Sequence, residues 1–163
     1  MLAPPRNLAA ERLKSARLLA LAVPVALLGG ALLSEYVGKL YPCEMCWWQR
    51  YPHAVAIPLA LGALLSPLGA QRTRVLTLLA ALAVAVSGAI GLFHAGVEYG
   101  WWEGLTTCAA GGATSLEDIM AVPLIRCDQV QWTLLGISLA GYNAIFSLAG
   151  AAVIALLARR RAA

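Results

Sequence analysis

Four cysteines are the residues of this chain most able to do chemistry. Cys43 and Cys46 are separated by two residues, and Cys108 and Cys127 by eighteen. Both pairs lie outside the strongly apolar segments of the chain. Four cysteines allow three disulfide pairings, and their spacing does not choose among them. Such pairs can exchange disulfides, bind a metal or crosslink loops.

The spacing of Cys43 and Cys46 favours redox chemistry. A crosslink across so short a loop removes little entropy from the unfolded chain, so it stabilises poorly. Dithiols with this spacing are often reactive instead. A Cys-x2-Cys pair is also half of a zinc ribbon, but Cys108 and Cys127 are too far apart to supply the other half. No metal is therefore expected, whereas structural crosslinks remain an alternative.

Arg50 is the first candidate partner for these thiols. It follows Cys46 by four residues, which places it one helical turn along the same face. A cation there, together with the N-terminal end of a helix, would stabilise a Cys46 thiolate. His94 ends the third apolar segment, with Glu98 one turn on, and is either an interfacial residue or part of the site. His53, on the face of Arg50, is a weaker candidate.

Four segments without Asp, Glu, Lys or Arg must position these residues. Only 12% of the 163 residues are charged and 61% are hydrophobic, too few charges to cover a soluble globule. About 20 apolar residues span a bilayer as a helix, which satisfies its own backbone in lipid. The sequence predicts an all-α, membrane-embedded four-helix bundle, with residues 1–163 as one domain. The predicted spans are about 18–36, 47–68, 75–96 and 132–158.

The charges predict the orientation of the bundle. Nine of the twelve cations lie before the first span, between spans two and three, or at the end of the chain, and seven of the eight acids lie on the other side. The positive-inside rule makes both termini cytoplasmic and both cysteine loops outward-facing. In a Gram-negative host that compartment is the periplasm, where disulfides persist. The net charge of +4 does not indicate nucleic-acid binding.

Two further features concern the polar segments. The second outward loop, about 98–131, contains an amphipathic stretch over Thr114–Ile125 that suits a short helix on the membrane surface. The basic start followed by an apolar segment is also typical of a signal peptide. No clear small-x-small cleavage site precedes the next polar segment, so a retained first span is favoured.

Together these features resemble the disulfide bond formation protein B (DsbB) family over nearly the whole chain. The motifs that carry the resemblance are Cys43-x2-Cys46-x3-Arg50, His94 at the end of span three, Cys108…Cys127, Trp132-x3-Gly136 and Asn143. The chain departs from the best-known member at Gln49, where that protein has Glu, and in a shorter second outward loop. The change at Gln49 leaves the implied chemistry intact, whereas the shorter loop leaves the choice of partner open.

The resemblance implies a thiol oxidase of the bacterial inner membrane. Such a protein reoxidises a DsbA-like, thioredoxin-fold protein of the periplasm and passes two electrons to ubiquinone or menaquinone. Cys108 would be attacked by the partner's thiolate, and Cys127 would be its mate and resolve toward Cys43. Cys46 would face the quinone.

The resemblance also implies the quinone pocket. Arg50 would hold a quinone carbonyl and favour the Cys46 thiolate, and His94 would line the same pocket. Two alternatives compete with this interpretation. One is a vitamin K epoxide reductase-like enzyme, although the last span here lacks the cysteines expected of that family. The other is a non-catalytic membrane scaffold with two structural disulfides.

Overall fold

Four long helices dominate the computed structural model, which describes residues 6–68, 70–105 and 125–159. The helices are α1 (Arg6–Tyr36), α2 (Glu44–Leu65), α3 (Gln71–Glu98) and α4 (Leu139–Ala158). Two short strands, β1 (Thr133–Leu134) and β2 (Ile137–Ser138), pair as an antiparallel hairpin just before α4. The predicted helical bundle is confirmed, with this hairpin as an addition.

The helices pack in chain order around the bundle. Each contacts its neighbour in sequence, and α1 also packs against α4, which closes the bundle, while α1 and α3 touch only slightly. Three arginines tie one end together by donating hydrogen bonds to the last carbonyls of α2 or α4: Arg12 to Leu156 O at 2.9 Å, Arg17 to Leu64 O, and Arg74 to Ala158 O. Helix-end carbonyls lack partners within their own helix, so these contacts satisfy them. We call this the basic end, and the opposite end the cysteine end.

Small side chains fill the interior. One core cluster near the basic end consists largely of alanines, among them Ala16, Ala20, Ala60 and Ala80. On α3, a Cβ added at Gly91 would lie 3.0 Å from Ala140 O of α4. Such close approach of backbones is how helices associate in lipid. Large apolar side chains point outward instead, as Leu82 does with 60% of its surface exposed.

Three helices, α1, α3 and α4, are long and apolar enough to cross a membrane among the described residues. Helix α2 has 22 residues but is more polar in its first three turns. Glu44, Gln49, Arg50 and His53 all lie there. Its polar half is therefore the part of the bundle where chemistry can take place.

Helix bounds differ from the predicted spans at several points. The last helix begins at Leu139 rather than near residue 132, because Leu135 and Gly136 adopt φ of 51° and 78° in the turn of the hairpin. Ser138 then caps α4 by accepting a hydrogen bond from Gly141 N at 3.1 Å. The turn of the hairpin ends the first strand, and the Ser138 cap starts the helix. Hydrophobicity alone does not predict either boundary.

The other three helices extend beyond or shift from their apolar segments. Helix α1 begins at Arg6, since a helix can continue into its charged, non-spanning turns. Helix α2 begins at Glu44, capped by Cys43, and ends at Leu65. Helix α3 extends to Gln71 and Glu98. Residues 114–124 of the predicted surface helix lie outside the described residues.

Candidate functional site

Three cysteines converge at the start of α2. Cys43 is the N-cap of the helix, and its sulfur accepts a hydrogen bond from Cys46 N at 3.3 Å. The Cys43 and Cys46 sulfurs lie 2.8 Å apart without a disulfide between them. Cys127 packs into the same cluster and its side chain interacts with Cys43. Cys108 lies outside the described residues.

The two thiols of the CxxC pair differ in environment. Hydrogen bonding with Cys127, then with Cys46, together with burial, raises the pKa of Cys43 well above its usual range. Cys43 therefore keeps its proton at neutral pH. Cys46 lies in the first turn of α2, where free amides and the helix dipole stabilise an anion. The thiolate of the pair is accordingly favoured on Cys46.

His94 reaches this cluster from the last turn of α3. Only 2% of its surface is exposed. Its Nε2 lies 3.6 Å from the Cys43 sulfur and 3.2 Å from Cys127 O, and a Glu98 carboxylate oxygen is 3.9 Å away. The side chain thus contacts the sulfur of Cys43 and the backbone carbonyl of Cys127.

Gln49 determines which nitrogen of His94 carries the hydrogen. Its Oε1 accepts from Asn143 Nδ2 at 2.9 Å, and its Nε2 donates to Met45 O at 3.1 Å. With the amide oriented this way, Nε2 also donates to His94 Nδ1 at 2.9 Å. Neutral His94 therefore carries its hydrogen on Nε2, directed toward Cys43 and Cys127.

Arg50 is buried at the cysteine end but is held by α1. Its guanidinium forms an ion pair with Glu35 and donates to Ala31 O at 3.2 Å. The same group lies 4.9 Å from the centre of the Trp47 ring. Arg50 was predicted to lie close to Cys46, and in the structure both side chains line the same cavity.

His53 sits deeper, in a polar network between α2, α3 and α4. Its Nε2 lies 2.9 Å from Ser87 Oγ, 3.0 Å from Asn143 Oδ1 and 3.4 Å from Ser147 Oγ. Ser87 Oγ also donates to Gln49 O at 2.7 Å. The network connects His53 to the residue that orients His94.

Sequence reasoning did not place Glu35, Gln49, Ser87 or Ser147 in the site. All four are polar residues at or within apolar helices, and such residues in membrane helices usually face the bundle interior and mark function. That signal could have found them. It could not have paired Glu35 with Arg50, because the pairing depends on how α1 packs against α2.

A cavity of about 520 Å³ lies between α1, α2 and α4 at the cysteine end. Its volume is within the range of small-molecule sites. Leu27, Leu28 and Ala31 of α1 and Phe146 of α4 contribute apolar surface. The polar lining includes Cys46, Arg50, His53, His94 and Asn143. A second apolar groove, of about 480 Å³, runs between α1 and α4 and shares Leu27 and Phe146 with the cavity.

These surfaces fit a quinone. An apolar enclosure with a few directed polar groups suits a flat ring with two carbonyl oxygens. The guanidinium of Arg50 can donate hydrogen bonds to such an oxygen. The adjoining groove matches the chemistry of an isoprenoid tail, because its lining is formed by apolar residues of α1 and α4.

Comparison with known proteins gives a consistent family assignment. The sequence profile described as "Disulfide bond formation protein DsbB" matches residues 13–157. Relatives named "Disulfide bond formation protein B" include one from Verminephrobacter eiseniae, 33% identical, with the alignment covering 83% of this chain and 80% of that one. Another, from Chromohalobacter salexigens, is 29% identical over 93% of this chain and 91% of its own. A third, from Aromatoleum aromaticum, is 28% identical over 86% and 89%.

No solved structure matches the chain. The family profile nevertheless covers all four helices almost completely, from within α1 to the end of α4. Together with the three apolar helices, this assigns a multi-pass protein of the inner membrane with an oxidoreductase role in disulfide formation. The chain belongs to the DsbB family of disulfide bond formation proteins.

Proposed function

We propose that this protein is a thiol:quinone oxidoreductase that reoxidises a DsbA-like, thioredoxin-fold protein of the periplasm. The observation that carries the proposal is one cavity lined by Cys43, Cys46, Arg50 and His94, with Cys127 in contact with Cys43. Family membership supplies the role in disulfide formation. The proposal adds two components to this role: a quinone acceptor, which is ubiquinone or menaquinone, and the DsbA-like partner.

The proposed thiol steps begin at Cys108. A thiolate of the reduced partner attacks Cys108 of a Cys108–Cys127 disulfide, forming a mixed disulfide and releasing Cys127 as a thiolate. Cys127 then attacks Cys43 of a Cys43–Cys46 disulfide and releases Cys46 as a thiolate. The partner's second thiolate resolves the mixed disulfide, so the partner leaves oxidised and Cys108 is released as a thiolate. Cys108 then attacks Cys127 of the Cys127–Cys43 disulfide, which re-forms the Cys108–Cys127 disulfide and leaves Cys43 and Cys46 as the reduced pair. The contact between Cys127 and Cys43 supports this order.

The other residues position charge and protons around these sulfurs. His94 directs its Nε2 hydrogen toward the Cys43 sulfur and the Cys127 carbonyl, so it stabilises negative charge that develops on Cys43 during exchange. Arg50, held in place by Glu35, offers guanidinium hydrogens to the cavity. When bound there, a quinone supplies the two-electron acceptor, and its reduction takes up the two protons that a dithiol loses on becoming a disulfide. The apolar walls exclude water.

The proposed orientation places the cysteine end in the periplasm and both termini in the cytoplasm. Helix α2 then crosses the membrane as the second of four spans, with its polar first turns at the outer boundary, and residues 1–163 form one membrane domain. The arginine-rich basic end supports this orientation through the positive-inside rule.

The loss of quinone absorbance tests the proposal. Purified protein in detergent is mixed with reduced DsbA-like protein and a ubiquinone or menaquinone analogue. We expect catalytic quinone reduction that disappears in Cys46→Ser, because that variant lacks the thiol beside the cavity. The same variant should still exchange with the partner through Cys108 and Cys127, which serves as its control. Absence of turnover with both analogues, despite partner exchange, would favour a scaffold or another acceptor.

Partner exchange has its own test. In Cys127→Ser, Cys108 has no mate, so its thiolate should attack the disulfide of the oxidised partner and form a mixed disulfide. This mixed disulfide should persist, because no Cys127 thiolate is present to displace the partner from Cys108. A non-reducing gel would show the linked complex. If the complex instead formed through Cys43, the assignment of Cys108 as the entry cysteine would be wrong.

A further inference from the structure

Cys43, Cys46 and His94 form a cluster whose chemistry is broader than disulfide exchange. Their sulfur and nitrogen atoms all lie within 4.8 Å of one another. Cys43 and His94 are almost fully buried, with 3% and 2% of their surfaces exposed. We propose that the reduced protein binds one Zn²⁺ ion, or a similar thiolate-preferring divalent cation, through Cys43 Sγ, Cys46 Sγ and His94 Nε2.

The distances suit a tetrahedral ion. Bonds of about 2.3 Å to sulfur and about 2.0–2.1 Å to nitrogen place neighbouring ligand atoms about 3.5–3.8 Å apart. The Cys43 sulfur and His94 Nε2 are already 3.6 Å apart. The two sulfurs, now 2.8 Å apart, need to separate by about 1 Å, which a small side-chain rotation of Cys46 provides.

The donor set selects the type of metal. Two thiolates and an imidazole favour zinc and other thiolate-preferring ions over magnesium or calcium, which take oxygen ligands. Binding releases one proton from each thiol, so two thiolates balance the charge of a divalent ion. The fourth position is left for water or for Cys127, which contacts Cys43.

The site exists in only one redox state. A Cys43–Cys46 disulfide has no thiolate to offer, so the oxidised protein cannot form it. A bound ion in turn occupies both sulfurs of the CxxC pair and prevents them from forming a disulfide. Metal binding therefore holds the protein in its reduced state and inhibits thiol oxidation.

Gln49 limits the affinity of this site. Its Nε2 donates to His94 Nδ1 at 2.9 Å, which keeps the hydrogen of the ring on Nε2, the atom that must bind metal. A carboxylate at position 49 would instead accept a hydrogen from Nδ1 and leave Nε2 free. Carboxylates commonly orient metal-binding histidines in this way. Gln49→Glu should therefore tighten binding, an effect that no change of fold produces.

The experiment is an anaerobic titration of the purified, fully reduced protein with Co²⁺ as a spectroscopic probe and Zn²⁺ as competitor. We expect one ion per chain, with the visible bands of tetrahedral cobalt and a thiolate-to-cobalt charge-transfer band. The air-oxidised protein should bind none. Because the readout is absorbance and metal stoichiometry, it is independent of whether the protein reduces quinones.

Variants identify the ligands. Cys46→Ser and His94→Ala should weaken binding by about a hundredfold, since loss of an outer partner alone costs about 10–100-fold. Gln49→Glu should strengthen binding about tenfold, whereas Gln71→Glu, which adds the same charge at the start of α3 at the basic end, should not. Binding that survives both Cys46→Ser and His94→Ala, or no binding by the folded, reduced protein, would overturn the proposal.

Discussion

At the residue scale, the Glu35–Arg50 pair determines how the cavity presents positive charge. The two side chains are only 14% and 9% exposed. Removing one partner of a buried ion pair leaves the other charge unpaired, at a cost of about 3–5 kcal/mol. Glu35 is therefore expected to act as a positioning residue for Arg50, and substitutions of the two must be interpreted together.

Replacement of Arg50 should separate quinone use from partner exchange. In the double variant Arg50→Met with Glu35→Gln, which leaves no buried charge unpaired, we expect the KM for the quinone to rise about tenfold or more, the equivalent of at least one lost charged hydrogen bond. Exchange between Cys108 and the partner should be unchanged. Steady-state kinetics at varied quinone concentration measure the KM. A gel-based assay measures the exchange between Cys108 and the partner.

Arg72→Met is the matched control for this prediction. Arg72 is an exposed arginine at the start of α3, at the basic end. The Arg72→Met variant should have the same KM for the quinone and the same rate of partner exchange as the unmodified protein. Equal loss of both steps in the double variant would contradict the division between a quinone site and an exchange site.

At the element scale, the close packing of α3 on α4 holds the polar network together. A Cβ at Gly91 would lie 3.0 Å from Asn143 Nδ2 as well as from the Ala140 carbonyl. Asn143 in turn hydrogen-bonds to Gln49 and Ser87. Gly88 and Gly91 therefore have a role beyond allowing α3 to pack closely on α4. They bring the network of α4 within hydrogen-bond distance of α2.

Gly91→Val should destabilise the bundle by about 1–3 kcal/mol, the usual cost of overpacking. Its side chain meets backbone atoms of α4, which can move only if the helices separate. Thermal unfolding in detergent, followed by circular dichroism, measures the change. Gly29→Val places the same side chain on α1 where no atom lies within 4 Å, so it should not destabilise the bundle, because valine has a higher helix propensity than glycine. An equal Tm for the two variants would contradict the packing argument.

At the scale of the whole molecule, the bundle has two chemically different ends. The basic end contains arginines that bind helix-terminal carbonyls, and the cysteine end contains the thiols, His94 and the cavity. Thiol exchange with a soluble protein needs the second end to face the compartment of the partner. The proposed orientation, which follows from the distribution of charge along the chain, places this end in the periplasm.

Labelling with a membrane-impermeant maleimide tests this orientation. After reduction, intact spheroplasts should react at the native cysteines without permeabilisation, because the proposed orientation exposes the cysteine end outward. Ser66→Cys in a cysteine-free background, located in the turn after α2 at the basic end, should react only after permeabilisation. The reverse pattern of labelling would mean that the bundle is inserted the other way round.

The sequence by itself determined the class of protein and its family. Hydrophobic segments long enough to span lipid, the CxxC pair with Arg50, and the later cysteines sufficed, because these signals are local in the chain. Family membership is confirmed over residues 13–157. The site residues, the quinone and the partner stay predictions.

Only the tertiary structure decided which side chains meet. The pairing of Arg50 with Glu35, the contact of Cys127 with Cys43, and the orientation of His94 by Gln49 each join residues from different elements. Helix bounds near Leu139 also depended on a hairpin and a cap rather than on hydrophobicity. Periodicity and composition report the faces and ends of single elements, whereas contacts between elements depend on how closely glycines and alanines let the helices pack.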